Sequence, residues 1–219
     1  MPTPKQPRSR FVIPILAGLV VGLLLFGTGG WFLGRSNAPD PDPTPTVVAQ
    51  PTPTPSASGV YERSQISINR PKFAGLLSPV AEGWLPHISG CARNGDKDGP
   101  ALNKGERVRV RCEMDAMSVV FVEYATFADR DKARNVVIGQ AHDAASFAPG
   151  VEPSGERVTP SGRVNGYYAE HAYRADDRTV AGIWWDNSRT PVGAYLLAYW
   201  KEGVDEKWEP IRDIWSRYA

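Results

Sequence analysis

The sequence is poor in the residues on which most catalytic and metal sites depend. Its 219 residues include only three histidines, His87, His142 and His171, and they lie far apart. Because histidine is the commonest general base and a frequent metal ligand, few residues are available for either role. The GxSxG, HExxH, P-loop and dinucleotide-binding glycine patterns are also absent. We therefore expect a protein that is not an enzyme and that needs no cofactor or metal. A hydrolase or transferase with a cryptic site is the alternative.

A single segment approaches a metal-binding pattern. Residues 94–99 read NGDKDG, with oxygen ligands at alternate positions and a glycine sixth, as a calcium loop begins. The twelfth position of such a loop should be acidic, but here it is Gly105, and Glu106 comes one residue later. A polar turn is therefore the preferred interpretation of this segment.

The sequence also lacks an excess of either charge. Its formal net charge is +1, which gives no reason to expect nucleic acid as a partner. Arg107, Arg109 and Arg111 alternate with apolar residues, so that on a strand they would lie about 7 Å apart along one face. Such a stripe could bind an anionic envelope polymer or lipid headgroups. Solvated charge, balanced by Glu106 and Glu113, is the other interpretation.

Long apolar runs are absent except for one near the start of the chain. Residues 11–33 contain no charged side chain and would span roughly 34 Å as a helix, enough to cross a hydrocarbon core of about 30 Å. The run is too long for a cleaved signal peptide, the main alternative. Three basic residues precede it and one follows it, which places the N-terminus in the cytoplasm. The sequence thus predicts a single-pass cell-membrane protein, with the lipid bilayer as one partner and an extracytoplasmic C-terminal domain.

Composition divides the rest of the chain into three parts. Residues 1–10 would be a cytoplasmic tail. Residues 34–59 are rich in Thr-Pro and Asp-Pro pairs, which disfavour helix and predict an extended, disordered linker. Residues 60–219 are long enough to bury a core of their own and are expected to form the extracytoplasmic domain.

The hydrophobic pattern of this domain predicts an α+β fold. Alternating or apolar runs indicate strands at 107–112, 118–124, 163–174, 179–186 and 192–200. Helical stripes indicate a short helix at 78–85, a long one at 129–146 and a last one that begins near Val204. We expect an antiparallel sheet of about five strands with the helices packed on one face.

Two further residue pairs stand out in the domain. Cys91 and Cys112 are the only cysteines, and in an oxidising compartment they are expected to form a disulfide. A metal or redox pair is disfavoured, because the CxxC spacing is missing. Trp184 and Trp185 are neighbours on one predicted strand and point to opposite faces. Whichever of them is exposed would mark a ligand-binding surface.

Several segments together resemble a known class of proteins. The linker PTPTPSASG, the strand RVRVRCE, the run VVFVEYATFADRDKARNVV and the later segments AGIWWDN and AYLLAYW are similar to actinobacterial single-pass membrane proteins with a Thr/Pro-linked extracytoplasmic domain. These include the sensor regions of receptor serine/threonine kinases, although this chain has no kinase domain. The resemblance implies a membrane-anchored, non-enzymatic binding or sensing module of the cell envelope, acting with an envelope polymer or a membrane-protein partner. A structural partner of a membrane complex is a further alternative.

Overall fold

The computed structural model describes residues 59–219. Within this range no helix is both long and apolar enough to cross a bilayer. This finding corrects the prediction of a single-pass cell-membrane protein with a cytoplasmic N-terminus and an extracytoplasmic C-terminal domain. The predicted tail, the transmembrane segment at 11–33 and all but the last residue of the linker lie outside the described residues.

The described chain forms a single antiparallel sheet and several helices, of which the longest has 21 residues. In chain order the elements are α1 (Val60–Asn69), two 3₁₀ helices (Arg70–Phe73 and Gly75–Leu77), α2 (Ser78–Ala81), β1 (Ser89–Arg93), β2 (Glu106–Met114), β3 (Met117–Tyr124), α3 (Phe127–Phe147), β4 (Gly155–Val158), β5 (Asn165–Ala175), β6 (Arg178–Asp186), β7 (Val192–Tyr199) and α4 (Glu209–Tyr218). The spatial order of the strands is β1-β2-β3-β7-β6-β5-β4. The sheet has seven strands, so the prediction of about five was wrong.

The sheet consists of two meanders that meet in its middle. β1 to β3 form one meander and β4 to β7 the other, and the pairing of β3 with β7 joins them. β3 and β6 are almost wholly buried, because both of their faces are covered. This explains why their sequences read as apolar runs, whereas β2 alternates.

One face of the sheet carries the main core. Trp185 stacks on Trp84 with 5.3 Å between ring centroids, and Phe121 meets both rings edge-on. The N-terminal helices cover one part of this face, and α4 covers another part with Ile211 and Trp215. Burial of these large rings is the principal source of stability in a domain of this size.

The opposite face carries α3. Ala133 and Val137 of α3 pack against Val122, Ala169 and Trp184 of the sheet. Helices therefore cover both faces, which corrects the prediction that they pack on one face only. Thr126 begins α3, because its Oγ accepts a hydrogen bond of 3.1 Å from the backbone N–H of Asp129.

Candidate ligand-binding cleft

α3 leaves part of its sheet face open. It packs mainly along β5, while β2, β3 and β7 continue beyond it. Residues 94–105 connect β1 to β2, and Asn103 and Lys104 of this connection line the cavity on the far side; we call the connection the wall. The space between this wall and α3 is a cavity of about 500 Å³, which we call the cleft. Its size falls within the usual range for small-molecule sites.

A second cavity adjoins the cleft. This side groove has a volume of about 560 Å³ and lies over the neighbouring ends of β2, β3 and β7. The two cavities share five lining residues: Asn103, Arg109, Val120, Tyr173 and Leu197. Together they form one groove across the open part of the sheet.

The strand register sets the floor of this groove. Across the sheet, Arg111 pairs with Val120, and Val120 pairs with Tyr195. In the next row Leu197 pairs with Gly182, and Gly182 pairs with His171. Because alternate residues of a strand point to the same face, both rows present their side chains to the groove.

A bulge in β2 brings an ion pair to the edge of the cleft. On a regular strand, residues three apart point to opposite faces. The register of β2 shifts by one residue between Glu106 and Val108, and this shift returns Glu106 to the face of Arg109. Arg109 then donates two hydrogen bonds to the Glu106 carboxylate, from Nε to Oε2 at 2.9 Å and from Nη2 to Oε1 at 2.6 Å.

The Glu106 carboxylate is held from a second side as well. The backbone N–H and the side-chain amide of Asn103 donate to it at 2.9 and 3.2 Å. Burial of the carboxyl group opposes its ionisation, yet the hydrogen bonds from Arg109 and Asn103 keep the pKa of Glu106 below its ordinary value. The carboxylate is therefore ionised, and it fixes the guanidinium of Arg109 beside the cleft.

Two tyrosine hydroxyls meet at the floor. The hydroxyl oxygens of Tyr124 and Tyr195 lie 3.4 Å apart. Burial raises the pKa of both phenols, so both keep their protons at neutral pH. The positive charge of Arg109 interacts electrostatically with both groups. A guanidinium and two O–H groups thus gather at one place in the cleft.

His171 lies under the α3 side of the cleft. Its Nδ1 is 3.0 Å from Oε1 of Gln140, a residue of α3. Nε2 is buried beside Gly182, and it has no hydrogen-bond partner among residues 59–219. Burial lowers the pKa of His171 from 6.5 to about 4, so the ring is neutral at physiological pH.

The sequence-predicted residues occupy several different places. Arg109 lines both cavities, and Arg111 lines the side groove, where it pairs with Glu113 at 3.1 Å. Arg107 is exposed and lies outside the lining of both cavities, because the bulge removes it from the row of the other two arginines. The three arginines therefore do not form one continuous stripe.

The two tryptophans predicted to mark a surface are both buried. Trp184 lies beneath α3 and donates to Asp186 at 3.2 Å, and Trp185 belongs to the main core. Neither lines the cleft or the side groove.

The predicted disulfide is confirmed. Cys91 and Cys112 are bonded, which joins β1 to β2 and closes the loop that contains residues 94–105; Cys112 itself lies in the main core, on the opposite face of the sheet from the cleft. Within the wall, Asp96 accepts hydrogen bonds from Lys72 and from the backbone N–H of Arg93, which makes residues 94–99 a polar turn. Residues 59–219 contain no cluster of His, Cys, Asp and Glu suited to a metal ion.

Sequence reasoning missed the residues at the centre of the site. Tyr124, Tyr195 and His171 lie on three different strands, and only the tertiary pairing brings them together. Glu106 was considered as a neighbouring charge, but the bulge that turns it toward Arg109 has no signal in the sequence.

Comparison of the chain with known protein families, curated proteins and solved structures found no match. The resemblance to sensor regions therefore stays a prediction, and the function has to be inferred from the cleft itself.

Proposed function

We propose that this domain is a non-catalytic binding module that takes a small molecule in the cleft. The observation that carries the proposal is the open part of the sheet face, walled by α3 and by residues 94–105. A concave site of about 500 Å³ with a few converging polar groups is the usual form of a small-molecule site. Arg109, Tyr124 and Tyr195 supply those groups.

The fixed positions of the polar side chains support this proposal. Glu106 holds Arg109 through two hydrogen bonds, and Gln140 holds His171 through one. A ligand that enters such a site orders few side chains, so little affinity is lost to conformational entropy. The polymer and protein partners expected from the sequence stay predictions.

The test is to fill the cleft with a large side chain introduced on α3. Ala133 is half-buried in the cleft lining, whereas Asn135 is an exposed residue of the same helix outside it. Small molecules that raise the melting temperature of the full chain would first be identified in a library screen. Ala133→Trp should abolish these shifts, and Asn135→Trp should preserve them. At a ligand concentration of 100 Kd, the stabilisation lost would be about 2.7 kcal/mol.

A second variant, Val136→Trp, covers the case in which Ala133→Trp does not fold. Val136 also lines the cleft but is 63% exposed, so a tryptophan there leaves the packing of α3 intact. Calorimetric titration of each compound into the parent chain and both variants measures occupancy directly. The proposal fails if every stabilising compound acts equally on the parent chain and on both cleft variants.

A further inference from the structure

We infer that the ligand of the cleft is an amphipathic anion. Its carboxylate or phosphate would bind at Arg109, Tyr124 and Tyr195, and its apolar chain would lie along Val120 and Leu197 in the side groove. This inference rests on the proposed binding function and names the chemical class of the ligand.

Hydrogen-bond donors outnumber acceptors around Arg109, Tyr124 and Tyr195, where the anionic group would bind. Arg109 uses Nε and Nη2 for Glu106, and its Nη1 has no partner among the described residues. If one hydroxyl of the Tyr124–Tyr195 pair donates to the other, the second hydroxyl hydrogen still has no acceptor. Nη1 of Arg109 and one hydroxyl of the tyrosine pair can therefore both donate hydrogen bonds to a ligand. Carboxylate and phosphate oxygens are the acceptors that arginine binds best.

The charges around the cleft favour an anion. Three cationic and two acidic residues line it: Lys104, Arg109 and Lys132, and Glu106 and Asp129. Asp129 is engaged by Thr126 at 2.7 Å and by Lys132 at 3.5 Å, and Glu106 is engaged by Arg109. Lys104 forms no ion pair among residues 59–219, although it interacts electrostatically with Asp129, and the lining therefore carries one more cationic than acidic residue.

The side groove contains an apolar strip between polar side chains, since Arg111, Glu113, Asp115 and Ser118 also line it. Val120 and Leu197 line both cavities, so they connect the cleft with the side groove. Beyond them its lining includes Ala175 and Val180. A hydrocarbon chain placed here would remove from water its own surface and the partly exposed side chains of Leu197 and Ala175. A short, fully polar anion would leave this part of the groove unfilled.

The experiment uses the full chain and three probes that share one alkyl tail. Dodecanoate, dodecyl phosphate and dodecanol would be titrated by calorimetry below their aggregation concentrations. We expect both anions to bind at least about tenfold more tightly than the alcohol, because hydrogen bonds to charged groups contribute more than neutral ones. The ratio between the two anions distinguishes a carboxylate ligand from a phosphate ligand. Acetate and inorganic phosphate should bind far more weakly than either.

A double variant tests the assignment of the head group. Glu106→Gln with Arg109→Gln removes the guanidinium without leaving a buried carboxylate unpaired. It should reduce the preference for the anions over dodecanol to within about twofold, and Tyr195→Phe should weaken anion binding by a smaller factor. The matched control is Arg70→Gln with Glu82→Gln, which removes an exposed ion pair outside the lining of both cavities and should change nothing.

The outcomes separate this inference from the proposed function. If dodecanol binds as tightly as the anions, or if the double variant keeps the anion preference, the ligand class is wrong. Compounds from the library that Ala133→Trp excludes would still support a binding module in that case. If the anions bind equally to Ala133→Trp, the cleft is not their site and this inference fails, whereas the proposed function is still decided by the library compounds.

Discussion

Glu106 and Arg109 are joined at two points, with donor–acceptor distances of 2.9 and 2.6 Å, although they lie three residues apart on one strand. The bulge at the start of β2 makes this possible, because it returns both side chains to one face. The Glu106 side chain is only 3% exposed, so its charge depends on the partners that surround it. The pair therefore links the stability of the domain to the geometry of the cleft.

Arg109→Gln should destabilise the domain by roughly 2–3 kcal/mol at neutral pH, since it leaves the Glu106 carboxylate without its main partner. Adding Glu106→Gln should recover part of this loss. In the parent chain the ion pair keeps the pKa of Glu106 below its value in the unfolded chain, which is about 4.3. The stabilisation from the pair is therefore present above about pH 4.3 and is lost as the pH falls through the lower pKa of the folded state. Urea unfolding of the four proteins in a double-mutant cycle measures the coupling. Additive effects would show that the two side chains do not cooperate.

His171 should make the domain less stable in mild acid. The folded ring resists protonation until about pH 4, whereas in the unfolded chain it takes up a proton near pH 6.5. The unfolded state thus binds more protons between these values, and stability falls as pH falls from 6.5 to about 4. The difference corresponds to roughly 3 kcal/mol. His171→Gln should flatten this part of the pH profile, and His142→Gln, at an exposed position, should not. Equal slopes in all three proteins would contradict the assignment.

Gly193 should be intolerant of any side chain. A Cβ at this position would lie 2.5 Å from Cη2 and 2.7 Å from Cζ2 of Trp184, whose indole is fully buried. Gly193→Ala should cost about 1–3 kcal/mol through overpacking. Gly139 is the matched control, since its Cβ would meet nothing within 4 Å on an exposed part of α3. Gly139→Ala should stabilise by about 0.5–1 kcal/mol. Thermal or urea unfolding of both variants checks the contrast.

The Cys91–Cys112 bond should stabilise the domain and hold the outer wall of the cleft. It closes a loop with a sequence separation of 21, for which the chain-entropy estimate is about 3 kcal/mol. The double replacement Cys91→Ala with Cys112→Ala should lower the unfolding free energy by about this amount. Amide exchange should rise first in residues 94–105. A reduced parent chain should behave like the variant, and unchanged exchange in the wall would show that other contacts hold it.

Local patterns predicted much of the secondary structure. The five expected strands are present as β2, β3, β5, β6 and β7, because their alternating or apolar runs reflect which faces are buried. β1 and β4 were missed, since short edge strands such as Ser89–Arg93 and Gly155–Val158 bury too little to leave a periodic pattern. The last helix was expected from Val204, but Asp205 and Glu206 have positive φ angles and α4 begins only at Glu209.

The site was less accessible to sequence reasoning than the fold. Arg109 and Arg111 were correctly placed on one face, yet the bulge that separates Arg107 from them leaves no mark in the sequence. Tyr124 and Tyr195 come together only through the pairing of β3 with β7, which joins distant parts of the chain. The tryptophans were conspicuous in the sequence, but their burial makes them part of the packing.

The meeting of the two meanders has a consequence for biosynthesis. The row from Val120 to Tyr195 crosses the junction of β3 and β7, and β7 is the final strand to leave the ribosome. A nascent or prematurely terminated copy that lacks β7 therefore cannot join the two meanders, and the floor of the groove cannot form. We expect chains that end before Val192 to retain no affinity for the ligand, so that incomplete products cannot compete with finished ones for it.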